Sequence, residues 1–82
     1  MSEEKTYVIA GELLRVTSTY STEWYPVSRI VGVDVSNDKD RGEEYWTVRA
    51  LLTEGKEVRL LRDSDRAMAE QAAGEFVGKV FG

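Results

Sequence analysis

The sequence predicts an α+β fold: an antiparallel sheet or partly open barrel of four to five strands, followed by one C-terminal α-helix packed on it. Three patterns carry that reading. Residues 30–36, IVGVDVS, alternate along the chain, with Val31, Val33 and Val35 on one side and Gly32 and Asp34 on the other, as in a half-buried strand. Residues 45–61 hold two further alternating runs around Thr53-Glu54-Gly55, the signature of a hairpin. After Asp63 the period changes to that of a helix.

Taken in order, residues 1–5 are polar and expected to be disordered. Residues 6–17, TYVIAGELLRVT, read as one strand whose apolar parity flips at Gly11: Tyr7 and Ile9 share a face before it, and Leu14 and Val16 take the opposite parity after it. A bulge or sharp bend at Gly11 would reconcile the halves. A second strand is expected near 19–25, then a corner at Pro26 to Arg29, because proline cannot donate to a central ladder. The strand 30–36 follows, and NDKDRGEE, residues 37–44, reads as a charged loop.

In EYWTVRALL, Trp46, Val48, Ala50 and Leu52 form the core face, while Tyr45, Thr47, Arg49 and Leu51 form the other. A three-residue loop with Gly55 left-handed puts Ala50 opposite Val58 and Val48 opposite Leu60, matching the apolar faces; a two-residue turn would not. In the helix, Asp63 or Ser64 caps the first amides, with Asp65 in the first turn. Ala69, Ala72, Ala73, Phe76, Val77 and Val80 form the apolar stripe, with Met68 at its margin.

The 82 residues make a single domain, 1–82, short enough to be marginally stable. No cysteine and no histidine are present, which excludes disulfides and thiolate or imidazole metal sites; oligomerisation is the remaining way to add stability, so a homodimer is an open expectation. The absence of cysteine fits a cytoplasmic location. No signal peptide is read, and no apolar stretch approaches the roughly 18 residues that span a membrane. A net charge of −4 disfavours nucleic acid and anionic membranes as partners.

The hairpin register also places Arg49 opposite Arg59, beside Thr47, Leu51, Glu57 and Leu61. Like charges directly opposite are destabilising, and leucines do not suit a solvated sheet face. Three covers are open: closure of the sheet on itself with Glu12 or Glu23 reaching the arginines, a second copy of the chain, or a ligand or protein partner. Trp24 is placed at the barrel edge or an interface. The candidate interface is therefore Trp24, Tyr45, Arg49, Leu51, Arg59 and Leu61.

Other motifs carry less. Starting at Asp34, an EF-hand register gives oxygen ligands at Ser36, Asp38 and Asp40 but Lys39 where glycine is needed and Tyr45 where glutamate is needed. No metal or cofactor is therefore expected. Gly74 and Gly78 share a small-residue spacing on the helix, which suggests close backbone approach or a fraying last turn. The carboxylate pairs Glu43 with Glu44 and Asp63 with Asp65 lie in ordinary solvated settings, and no nucleophile, base and orienter come together, so no enzyme activity is expected.

Strands followed by a helix, with aromatics and arginines on the sheet, resemble the ββββα units of Pur-type and transcriptional-coactivator-type single-strand binders. That resemblance implies a nucleic-acid platform, with Tyr45 as the exposed ring, since Trp46 shares the core parity. The succession WYPVSRIVGVDV, YWTVRALLTEGKEVRLL and an alanine-rich helix resembles bacterial pleckstrin-homology-like domains over residues 20–80, through Pro26, Ser28, Ile30, Gly55 and the helix pattern. Domains of that family have about seven strands, more than this chain accommodates. The resemblance implies a partly open barrel capped by a helix, used for recruitment or oligomerisation of proteins, without phosphoinositide binding.

Overall fold

A computed structural model describes residues 6–82; the disorder expected for residues 1–5 lies outside the described residues. Six strands form two antiparallel three-stranded sheets. Sheet A comprises β1 (Thr6–Ala10), β2 (Leu13–Thr17) and β3 (Thr22–Pro26), and sheet B comprises β4 (Ile30–Asp40), β5 (Glu43–Leu52) and β6 (Glu57–Asp63). One helix, α1 (Arg66–Phe81), lies on sheet B, and β1 approaches β6 without a ladder joining them. Among the described residues the fold is α+β as expected, but six strands in two separate sheets replace the expected single sheet or partly open barrel of four to five.

Two two-residue turns account for the difference: one splits residues 6–17 into two strands, and the other lengthens β4 and β5 through the expected loop. Residues 6–17 are a hairpin rather than one bent strand: Ala10 pairs with Leu13, and Gly11 is left-handed (φ 61°) while Glu12 is not, the sign pattern of a II′ turn. Tyr7 thus stands opposite Val16 and Ile9 opposite Leu14, so the flipped parity puts all four on the same face. The expected charged loop 37–44 is likewise strand. Pairing runs to Asp40 and Glu43 around Arg41 and Gly42, left-handed at φ 53° and 80°, the signs of a type I′ turn.

At the corner, a single 3₁₀ turn spans Val27–Arg29, as expected from Pro26. Pro26 ends β3, which is an edge strand where a missing N–H breaks no ladder. The loop Thr53–Gly55 has the expected length and a left-handed Gly55, and Ala50 faces Val58. Val48 faces Leu61, however, not Leu60. Arg49 pairs with Arg59 and Val48 with Leu61, so Leu60 is the extra residue of a β-bulge.

The core contains Leu14 and Val16 from sheet A, Ile30, Val48, Ala50, Leu52, Val58 and Leu60 from sheet B, and Ala69, Ala73 and Phe76 from α1. Trp46 lies at the margin of this core rather than within it, half-buried with the Arg66 guanidinium 4.8 Å from its ring. The central aromatic is Phe76, fully buried and met edge-on by Tyr7 at 5.4 Å. Tyr25 and Val27 pack against the same cluster, and Ile30 is buried in it, so the corner plugs the core as read from the sequence.

The helix cap is Asp65, not Asp63 or Ser64: its carboxylate accepts from the Ala67 N–H at 2.9 Å, and Asp63 in turn accepts from the Asp65 N–H. On the stripe, Val77 and Met68 are exposed. Gly74 and Gly78 approach nothing; a Cβ at either would meet no atom within 4 Å. No helix among the described residues is long and apolar enough to cross a membrane.

Two stability measurements follow from this packing. Phe76→Ala is expected to cost about 3–5 kcal/mol in urea unfolding, the range for deleting a large buried aromatic; a loss under about 1 kcal/mol would mean the ring does not fill the core. Gly74→Ala is expected to stabilise by about 0.5–1 kcal/mol, because helical entropy is recovered without a clash. A destabilised Gly74→Ala would reveal a close approach at that position.

Candidate functional site

Two sheet faces point away from the core, and they differ in chemistry. On sheet B, alternation along β4 and β5 places Asp34, Ser36 and Asp38 beside Thr47, Arg49 and Tyr45. The bulge at Leu60 changes what β6 contributes. Arg59 stays outward opposite Arg49, but Leu61 moves opposite Val48 and packs against the core, while Arg62 swings outward opposite Thr47. Leu61 therefore leaves the candidate interface, and Arg62 enters this face. The sequence hid Arg62 because the bulge shifts parity.

The arginine juxtaposition read from the sequence is present, and its compensation is local. Thr47, wholly buried, donates its hydroxyl to Asp38 Oδ2 at 2.6 Å, and Arg49 reaches the same oxygen at 3.3 Å. The Thr47 hydrogen bond, against some desolvation and with help from the charges of Arg49, Arg62 and Arg59, holds the Asp38 carboxyl below the usual aspartate range. Arg62 lies 4.0 Å from Asp40 and 5.0 Å from the Tyr45 ring centroid. Arg59 is also engaged. The acids that Arg49 and Arg62 meet, Asp38 and Asp40, come from the extension of β4, while Glu23 accepts from the Tyr25 hydroxyl at 2.9 Å.

Tyr45 is therefore no bare ring. It lies half-buried beneath Arg62, and its hydroxyl donates to Glu43, which pushes its pKa up. Leu51 is half-buried beside Gly32, its Cδ1 3.5 Å from where a Cβ there would sit. Glu44 accepts from Asn37 Nδ2 at 2.7 Å across the β4–β5 ladder, and Glu43 accepts from the Tyr45 hydroxyl within β5. Among the described residues, no three histidine, cysteine, aspartate or glutamate side chains gather to hold a metal.

Sheet A presents the opposite case. Its outward residues align across the strands: Val8, Arg15 and Trp24 form one row, and Ala10, Leu13 and Pro26 the next. Trp24 is 59% exposed, Leu13 45% and Val8 44%. At the end of this face an open cleft of about 460 Å³ runs between the Gly11 turn and the Pro26 corner, lined by Gly11, Glu12, Leu13, Pro26, Val27 and Ser28. Of the six sequence-derived candidates, only Trp24 belongs to this surface. Its neighbours Val8, Leu13 and Pro26 complete this face through the turn at Gly11, which folds β1 back beside β2, where the parity pattern alone fits a bend equally well.

The sign of the acid response follows from Asp38. A carboxyl held below its ordinary value contributes stability that is complete above about pH 4 and is lost as pH falls through the lowered value. Thr47→Val removes the largest cause, so the Asp38 midpoint, followed by carboxyl NMR titration, should rise toward the ordinary value and acid unfolding should begin at higher pH. An unchanged midpoint would assign the effect to the arginines alone.

No family model, curated protein or solved structure matches this chain.

Proposed function

We propose that this chain is a non-enzymatic protein-interaction or self-assembly module of the pleckstrin-homology-like kind. The observation that carries the reading is the outward face of sheet A, where Val8, Leu13 and Trp24 stand exposed in adjacent rows. An antiparallel sheet that only faces water carries polar residues there, and clustered exposed apolar groups mark interaction surfaces. The ring of Trp24 is the type of side chain that dominates binding when it becomes desolvated.

The chemistry elsewhere supports the same reading. The chain has no histidine or cysteine, and the carboxylate pairs that would otherwise be considered for acid-base work are committed to the helix cap and to strand contacts. The arginine-bearing face of sheet B interleaves Arg49 and Arg62 with Asp38 and Asp40, which leaves little net positive field for a nucleic-acid backbone.

Capture of partners from a lysate by the wild type and by a Leu13→Ser/Trp24→Ser variant tests this. Both side chains are exposed, so the variant should keep its thermal midpoint while losing whatever the wild type retains. Identical captured sets would remove sheet A as the binding surface. Salt-dependent quenching of tryptophan fluorescence by single-stranded oligonucleotides, at or below about 10⁻⁴ M, would replace this reading with the nucleic-acid platform.

A further inference from the structure

We propose that the partner of sheet A is a second copy of this chain, joined edge to edge through β3 about a two-fold axis at Trp24. This rests on the interaction-module reading and identifies its occupant. The argument begins with the backbone. Ser18 N–H donates to Ser21 C=O and Val27 N–H to Glu12 C=O, both at 2.8 Å, and these bonds bracket the β2–β3 ladder in its own register. Bonded and non-bonded pairs alternate in an antiparallel ladder. Leu14 with Tyr25 and Val16 with Glu23 are therefore the bonded pairs, and the N–H and C=O groups of Thr22 and Trp24 point away from β2. Among the described residues no strand pairs with that edge.

The exposed edge is self-complementary about Trp24. In an antiparallel pairing of two β3 strands centred there, each Trp24 N–H meets the Trp24 C=O of the second copy. Each Thr22 N–H meets the Pro26 C=O of the second copy, so the N–H that proline lacks leaves only the Thr22 carbonyl, on an exposed residue, without a ladder partner. The two Trp24 rings become direct cross-strand neighbours on the outward face, within the reach at which aromatic pairs interact.

Charge agrees with this geometry on the other face of β3. The pairing sets Glu23 opposite Tyr25 of the second copy, and the Tyr25 ring carries Lys56 Nζ 5.3 Å from its centroid. Each Glu23 thus approaches the Lys56 of the second copy, twice by symmetry. The edge of β4 lacks such a match; an axis at Ser36, for example, would set Asp34 opposite Asp38 of the second copy.

Sedimentation equilibrium of the full chain from about 1 to 1000 µM tests the proposal, with micromolar to millimolar affinity being the range in which a small interface is seen. The expected result is a reversible monomer–dimer equilibrium. Thr22→Pro removes an edge N–H that β2 does not use, and should yield a folded monomer by circular dichroism. Glu23→Lys and Lys56→Glu should each weaken the dimer, by roughly three- to tenfold for exposed ion pairs, and the double charge exchange should restore it. A wild type that stays monomeric, or a double exchange that does not recover, overturns the β3 pairing. If the lysate capture still depends on Leu13 and Trp24 in that case, the interaction-module reading stands and only the second copy fails as its occupant.

Discussion

The ring of Phe76 is the interaction on which the rest of this small molecule depends, because it is what two separate sheets share. A sheet of three five-residue strands needs its hydrophobic face covered to be stable, and sheet A is no longer than that. No ladder connects it to sheet B. Ala69 and Ala73 are small enough to let the helix lie close over sheet B, and one turn later Phe76 reaches the inward face of β1, where Tyr7 meets it at an interplanar angle of 81°. Burial beside Phe76, with Glu75 nearby, pushes the Tyr7 hydroxyl above its ordinary pKa, so the ring is held neutral at the join.

With the join made by a helix, sheet B is free to devote its other face to polar chemistry. That face would be unstable if it held only what the β5–β6 hairpin supplies, since Arg49 stands opposite Arg59 and the bulge adds Arg62. The extension of β4 to Asp40 provides the acids, and its alternation points Asp38 to the same side as Thr47 and Arg49. Thr47 is the member with most leverage: it is fully buried, and its hydroxyl fixes the carboxylate that Arg49 approaches. The interleaved acids offset the like charges that the β5–β6 hairpin brings to this face.

The parts that were legible in the sequence are those where one period governs a segment. The hairpin around Thr53–Gly55, the core face of Val48, Ala50 and Leu52, the corner at Pro26 and the helix all follow from alternation, proline or the helical repeat. The misreadings have local causes. At Arg41 a long cationic side chain occupies a left-handed position where asparagine, aspartate or glycine usually announces a type I′ turn, so a hairpin looked like a charged loop. Around Gly11 the parity flip has two solutions, a bulge within one strand or a turn between two, and the sequence pattern fits both. The bulge at Leu60 has no signal in a run that reads Val58, Arg59, Leu60, Leu61, Arg62. Trp46 has core parity, yet it is only half-buried at the core's margin, with Arg66 over its ring.

These local accidents decide where the candidate site lies. Folding β1 back at Gly11 is what creates an outward face with Val8 beside Arg15 and Leu13 beside Ala10, and β3 adds Trp24 and Pro26 to the same rows. It also decides which edges are open. Sheet A has two: β1 is brought against β6, and β3 remains. A sheet with both edges free invites open-ended stacking, whereas one with a single free edge can pair only once, and a two-fold pairing consumes it. Pro26 limits the contact further, because the missing N–H prevents the ladder from running on into the corner. A short edge terminated by proline is thus suited to a closed, reversible contact rather than to a fibre. The tryptophan at its centre supplies apolar contact that a ladder of so few hydrogen bonds lacks.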